Sequence, residues 1–264
     1  MKQLVYFGIE QAKACLFPVT IFLTLAITRM IDIPFIARYD FILLICLVTQ
    51  VLMVIFKVET WDEVKVICVF HIIGLSLEIY KVHMGSWSYP ESAYSKVFGV
   101  PLYSGFMYAS VASYMCQAWR RLNLKLEHFP PNWLVFLLSI GIYFNFYTHH
   151  YIVDVRWILK LATFIIFFKT FVYFTVNERE YKMPLSLSFL LIGFFIWIAE
   201  NIATFFGAWR YPNQQAHWEL VHIGKISSWF LLVIISFLIV ALLKHFKESR
   251  SPHPINKMGT NKIS

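Results

Sequence analysis

Two glutamates lie inside long apolar runs, Glu78 in Phe70–Val82 and Glu200 in Leu185–Phe206. An ionisable group at bilayer depth costs about 2.5–3.5 kcal/mol on insertion scales and almost always faces protein or water, where it marks a proton, ion or substrate path. Each Glu precedes a glycine, Gly85 or Gly207, by seven residues. At 1.5 Å of rise per residue, the carboxylates are expected about 10 Å inside the ends of their helices. Two chemistries suit such a pair: a carboxyl kept neutral as a general acid, or a group that couples proton or cation movement. A packing role competes with both, because Lys81 is three residues from Glu78 and Thr204 four from Glu200, close enough on a helix to hold them.

The residues after each Glu repeat. Glu78-x6-Gly85-x-Trp87-x-Tyr89-Pro90 and Glu200-x6-Gly207-x-Trp209-x-Tyr211-Pro212 share five identities at a constant offset of 122 residues. Self-similarity at fixed register marks a duplication. Trp and Tyr are also the usual anchors at a membrane–water interface. The shared register points further, to a tight glycine turn whose Tyr is held extended by the following Pro and which roofs a pocket.

On the helix before each turn, His71, Gly74, Glu78, Lys81 and Gly85 form one face, and Gly193, Trp197, Glu200, Thr204 and Gly207 the other. Lys225 enters the last apolar run close enough to neutralise Glu200. The expected site has Glu200 and Glu78 as acid–base groups, Glu200 the stronger, with Trp87, Tyr89, Trp209, Tyr211, Asn201, Lys225 and His71 around the ligand. Because His71 and Lys81 belong to one copy and Asn201, Thr204 and Lys225 to the other, the site is expected to be asymmetric.

Other groups point elsewhere. In Thr148–Arg156 the adjacent His149 and His150 diverge on a helix and lack the spacing of a zinc site, so an interfacial Asp154 pairing with Arg156 or Lys160 is expected instead. The cysteines Cys15, Cys46, Cys68 and Cys116 all lie in apolar runs at no ligand spacing. No metal and no cofactor is expected, and no phosphate-binding glycine loop, nucleophile elbow or dinucleotide fingerprint occurs. Glu59, Asp62 and Glu63 with Lys57 and Lys65 read as a solvated loop. Lys169 reads as a packing residue within a helix or one that snorkels to its end.

The elements that must position these residues follow from composition. Of 264 residues, 59% are apolar and 14% charged, against roughly half and a quarter in soluble domains. The net charge of +8 is spread between apolar runs, which excludes a nucleic-acid stripe. A span needs about 20 mostly apolar residues. The sequence predicts an all-α polytopic membrane bundle of about eight such helices, at 14–30, 40–56, 66–82, 100–119, 133–151, 157–176, 184–206 and 222–245. The offset of 122 relates the first four to the last four, giving repeats over 1–125, with an interfacial segment at 1–12, and over 126–246, followed by a disordered cytoplasmic tail at 247–264. Four helices per copy make the repeats parallel, related by a pseudo-two-fold along the membrane normal. Lys and Arg number 14 on the side that holds both termini and eight on the other, which favours a multi-pass protein of the cell membrane with both termini cytoplasmic.

The run Gly85-Ser86-Trp87-Ser88-Tyr89-Pro90, Gly99–Leu102 with Ser104–Ala109, Met183-Pro184-Leu185, Trp197–Pro212, Gln214–Trp218 and Lys225–Trp229 resembles the YoaT-type family of bacterial integral membrane proteins, over nearly the whole chain. That resemblance implies a bacterial cytoplasmic-membrane location and brings no assigned activity. Glu78, Gly85, Tyr89 and Gly99-Val100-Pro101 are also similar, in the first repeat alone, to membrane carotenoid hydratases, though Trp87 and the second copy depart from that pattern.

Three functions fit. The first is binding or acid–base processing of a lipid or isoprenoid in the outer half of the bilayer. The second is proton- or ion-coupled transport of a small solute, and the third a structural membrane subunit. Membrane lipids are the expected partners. The charge bias puts both turns outside, so a reporter active only in the cytoplasm is expected to be silent when fused after Pro90 or Pro212; activity at either position would reverse the topology.

Overall fold

The computed structural model describes residues 2–250, and side chains through residue 241. It is mostly helical, with nine α-helices among the described residues. Helix α1 (Lys2–Ala14) meets α2 (Leu16–Met30) at Cys15 with a bend of 69°, so the expected interfacial N-terminal segment is itself a helix. After α3 (Arg38–Ile55), α4 (Trp61–His83) starts on a capping box, in which Thr60 Oγ1 accepts from the Glu63 amide and the Glu63 carboxylate accepts from the Thr60 amide. A short hairpin, β1 (Lys96–Val97) and β2 (Val100–Pro101), leads into α5 (Tyr103–Arg121). Strand β3 (Lys125–Glu127), α6 (Asn132–Thr148), α7 (Arg156–Ile166), β4 (Phe171–Val176), β5 (Arg179–Pro184), α8 (Leu185–Phe205) and α9 (Lys225–Arg250) complete the order.

By length and apolarity, α3, α4 and α8 can each cross a membrane, and the bent α1–α2 pair makes a fourth candidate. Their outward faces carry apolar side chains that a water-soluble protein would bury, among them Val51, Ile55, Ile72 and Phe195, all more than half exposed. Among the described residues, the eight comparable spans read from the sequence reduce to three or four by this measure. The reason is plainest in α5, which buries Ser104, Ser110, Ser113 and Gln117 against neighbouring helices. A helix enclosed by protein needs no lipid-soluble surface, so its composition turns polar.

The sixth predicted helix, 157–176, is half wrong. Its helix stops at Ile166, and Phe171–Val176 pairs with β5 through a two-residue turn, Asn177-Glu178, with both φ positive. The alternating aromatic and β-branched residues of that stretch suit a strand, and the turn has the geometry that continues strand twist. Lys169 consequently lies in an exposed turn rather than in a helix. The supposedly solvated loop is also different. Glu59 and Glu63 are buried, Glu59 accepting from Gln50 and Ser113, and Glu63 facing Arg120 at 3.3 Å. Burial raises the Glu59 carboxyl above its ordinary value, against the lowering effect of those two donors. Of the expected disordered tail, residues 251–264 lie outside the described residues, while 247–250 continue α9.

The two glycine turns are built alike. Gly85 (φ 69°) and Gly207 (φ 71°) end α4 and α8 in the left-handed region. In both, the glycine amide bonds back three residues, to Val82 or Thr204, and the next amide bonds back five, to Lys81 or Ala203. This is the Schellman closure, which leaves no cost only for glycine. Beyond the turns, Ser88 and Arg210, equivalent positions of the two copies, exchange both backbone hydrogen bonds at 2.9 Å. Arg38 binds the second turn from the other copy, donating to the carbonyls of Phe206 (2.6 Å) and Gly207 (3.2 Å) and to Glu91 (2.8 Å).

Helix α8 approaches α9 closely at Gly193, where an added Cβ would stand 2.9 Å from the Phe230 backbone nitrogen. Gly193→Ala is expected to cost about 1–3 kcal/mol through forced separation of the helices. Gly8→Ala, with nothing within 4 Å of its Cβ, serves as the control. Thermal unfolding in a mild detergent measures both; equal melting temperatures would mean that α8 and α9 are not in this contact.

Candidate functional site

Each glycine turn folds its Trp and Tyr back along the helix they follow. Glu78, 4% exposed, thereby receives Trp87 Nε1 and Tyr89 Oη, both on Oε2 at 2.7 Å. Tyr108 of α5 donates to Oε1 at 2.8 Å. Glu200, 3% exposed, accepts from the Tyr211 hydroxyl on Oε1 and from Trp229 Nε1 on Oε2 at 2.8 Å. In the second copy the indole therefore comes from α9, and Trp209 does not serve. Convergence of donors on one carboxyl suits an acceptor-only, ionised carboxylate, for which charge-assisted bonds offset desolvation.

The local partners expected from helical spacing are not the ones used. Lys81 Nζ donates to the Phe146 carbonyl at 3.0 Å and lies 3.2 Å from His150 Nε2. Thr204 donates to the Asn201 carbonyl and accepts from Trp218. Lys225 forms no ion pair with Glu200 within bonding distance; its ammonium lies over the rings of Tyr211 (4.5 Å) and Trp87 (5.2 Å). Those rings are bonded to Glu200 and Glu78 respectively and meet edge to face at 5.9 Å. Both carboxylates act electrostatically on Lys225, so one cation bridges the two copies through their aromatics.

Two sequence candidates fall outside. His71 packs on Phe106, its Nδ1 buried without a partner, where its ring fills the space beside Gly105. Asn201 is structural, donating to the Trp197 carbonyl and accepting from the Val221 amide, which anchors the chain before α9. Tyr89 is enclosed beneath the turn with Tyr39 and Tyr103. Asp154 does pair with Arg156, at 2.6 Å. Burial pushes its carboxyl up, but bonds from the Arg156 amide and Asn145, with the Arg156 charge, bring it below the usual carboxylate range. The His149 and His150 rings lie 4.0 Å apart, tilted by 36°, and burial followed by nearby cations, Lys81 included, lowers both from the ordinary imidazole value. Tyr108, Trp229 and Lys160 were not anticipated as site residues.

Glu78, Trp87, Tyr108, Glu200, Trp209, Tyr211, Lys225 and Trp229 open on one cavity of about 1300 Å³. Lys81, Arg156 and Lys160 also line it; the rest of its wall is largely apolar, with Gln11, Ser110, Tyr114, Ser188 and Ser236 among the exceptions, and it follows α5 from Met107 to Leu122, about 22 Å of helix. Small-molecule pockets usually hold about 300–1000 Å³, so this one suits a long or bulky apolar ligand.

Fold and site together define a mostly helical protein with three or four candidate membrane spans among the described residues and two buried, aromatic-held glutamates at one end of a largely apolar cavity. The chain belongs to the family described as "Protein of unknown function (DUF817)", whose profile matches residues 3–237. It is 63% identical over 248 residues to "Uncharacterized protein YoaT" of Bacillus subtilis (strain 168), covering 94% of each chain. Among solved structures it is similar to a cross-linked MvINS trimer, with a TM-score of 0.49 at 14% identity over 74% of this chain and 97% of that one.

Glu78→Leu leaves three donors without an acceptor, and Glu200→Leu leaves two. Each orphaned donor costs about 1–3 kcal/mol. Both variants are expected to melt earlier, Glu78→Leu by more, while Glu→Gln at either position retains an acceptor and loses less. The ranking is read by thermal unfolding in detergent; Leu variants as stable as Gln variants would remove the donors from the account.

Proposed function

We propose that the protein binds a lipid or isoprenoid amphiphile, its apolar chain lying along α5 and its polar end at the paired motifs. The observation that carries this reading is the cavity: about 1300 Å³, apolar over most of its wall, and polar chiefly where the two copies meet. A solute carried through an aqueous path would need polar groups along the route, and here they gather at one end. The Tyr211–Glu200 and Tyr108–Glu78 pairs both face the cavity, so any proton exchanged with a bound ligand passes through a tyrosine hydroxyl backed by a carboxylate. Glu200, with fewer donors, is the better acid–base group.

In this reading α2–α5 and α6–α9 are parallel halves about a pseudo-two-fold axis. Support comes from the coincidence of α4 with α8 and of α5 with α9 at the 122-residue offset, and from the Ser88–Arg210 pairing of equivalent residues. The chain lies in the cell membrane with both termini cytoplasmic, and the ligand enters from the outer half of the bilayer.

Native mass spectrometry of protein purified with its own lipids tests the reading. The expected spectrum carries a defined adduct of lipid or isoprenoid mass, which Glu200→Gln and Glu78→Gln weaken by freeing the indoles and hydroxyls that shape the polar end. No adduct, together with proton-dependent solute uptake into vesicles, would sink the proposal in favour of a carrier.

A further inference from the structure

Four cationic side chains line the motif end of the cavity: Lys81, Arg156, Lys160 and Lys225. They arrive from different elements, the last turn of α4 and the first turns of α7 and α9. Lys81 and Lys160 are buried, at 5% and 9% exposure. Among the described residues none of the three lysines has a carboxylate within ion-pair distance. Lys160 lies over the Trp157 ring at 3.2 Å, Lys225 over Trp87 and Tyr211, and Lys81 reaches one backbone carbonyl and a histidine. Arg156 gives its Nε to Asp154 and is within electrostatic reach of all three lysines.

Such a gathering repels itself, and buried ammonium groups without a counter-charge in contact carry a desolvation cost. Glu78 and Glu200 offset part of this charge at a distance, but their oxygens are engaged by indoles and hydroxyls. The ammonium groups of Lys160 and Lys225 meet only aromatic rings, Lys81 gives one N–H to the Phe146 carbonyl and meets His150, and no carboxylate pairs with any of the three. What they lack is a set of acceptor oxygens carrying negative charge, delivered from the cavity. Position 160 sharpens the point. In the first copy its counterpart, Arg38, is committed to Glu91 and the carbonyls of the second turn; in the second copy Lys160 has no such partners and faces the cavity.

We infer that the motif end of the cavity is an anion clasp, in which Lys81, Arg156, Lys160 and Lys225 hold the phosphate or carboxylate group of an anionic amphiphile. The inference rests on the lipid reading for the tail and adds the class of headgroup. A planar guanidinium beside flexible ammonium groups is a combination that suits phosphate oxygens. The aromatic faces beneath Lys160 and Lys225 keep those ammonium groups aimed while the clasp is empty.

Oleyl phosphate, oleyl alcohol and inorganic phosphate, titrated against the full chain in a non-ionic detergent and followed by tryptophan fluorescence, test the clasp. Oleyl phosphate is expected to bind at least about tenfold more tightly than oleyl alcohol, a difference of about 1.4 kcal/mol. The double variant Lys81→Gln/Lys225→Gln is expected to bring that ratio towards one, and Lys81→Arg/Lys225→Arg is expected to retain the preference, which separates loss of charge from loss of fold. Equal binding of phosphate and alcohol overturns the clasp and leaves the lipid reading standing. Inorganic phosphate binding as tightly as oleyl phosphate upholds the clasp and overturns the lipid tail. Binding of none of the three overturns both.

Discussion

A carboxylate inside an apolar bundle persists only if donors converge on it, and meeting that demand twice organises this protein. Neither Glu78 nor Glu200 finds enough donors on its own helix. Each obtains them by having the chain turn back at a left-handed glycine, so that an aromatic eleven residues later, Tyr89 or Tyr211, returns to the carboxyl. Once the turns are fixed, their outer strands lie side by side and Ser88 meets Arg210. The rings of Trp87 and Tyr211 then come together, and Lys225 settles over both. Helix packing, the junction of the two copies and the polar end of the cavity therefore follow from one requirement.

The sequence revealed the parts of this scheme that depend on local spacing. Glu78, Gly85 and Trp87 could be read as a helix, its end and a returning turn, because the glycine and the proline dictate backbone geometry on their own. The helical faces and the recurrence at 122 residues were legible for the same reason. What was not legible depended on elements distant in the chain. Tyr108 and Trp229 reach the carboxylates only because α5 and α9 cross α4 and α8 at the right height. Asn201 looked like a ligand group beside Glu200, yet its partners lie along its own helix and at Val221. The strand at Phe171–Val176 was hidden by apolarity alone, which does not separate a short buried strand from a helix; the Asn177-Glu178 turn after alternating aromatic and β-branched residues was the available signal.

The two motifs hold their glutamates differently. The first is self-sufficient, its Glu satisfied by Trp87 and Tyr89 of its own turn with Tyr108 added, and its Arg38 spent on securing the second copy's turn. The second has given up the equivalent indole, borrowed one from α9, and placed lysine where the first has arginine. The lysines without a carboxylate partner come from both halves of the sequence, Lys81 from α4 and Lys160 and Lys225 from α7 and α9.

Lys225 shows how stability and function share one residue. An ammonium surrounded by rings, with two carboxylates behind those rings, is held by quadrupole attraction and by charge at a distance rather than by a direct salt bridge. Each Glu200 oxygen already takes one neutral donor, from Tyr211 or Trp229, and the Lys225 ammonium sits over the Tyr211 and Trp87 rings instead of reaching either oxygen. Keeping the aromatics between the charges satisfies the carboxylates with neutral donors and leaves the ammonium hydrogens facing the cavity. In the proposed clasp, an anion arriving from that side would add acceptors to Lys225 while the bonds of Trp87 to Glu78 and of Tyr211 to Glu200 stay in place.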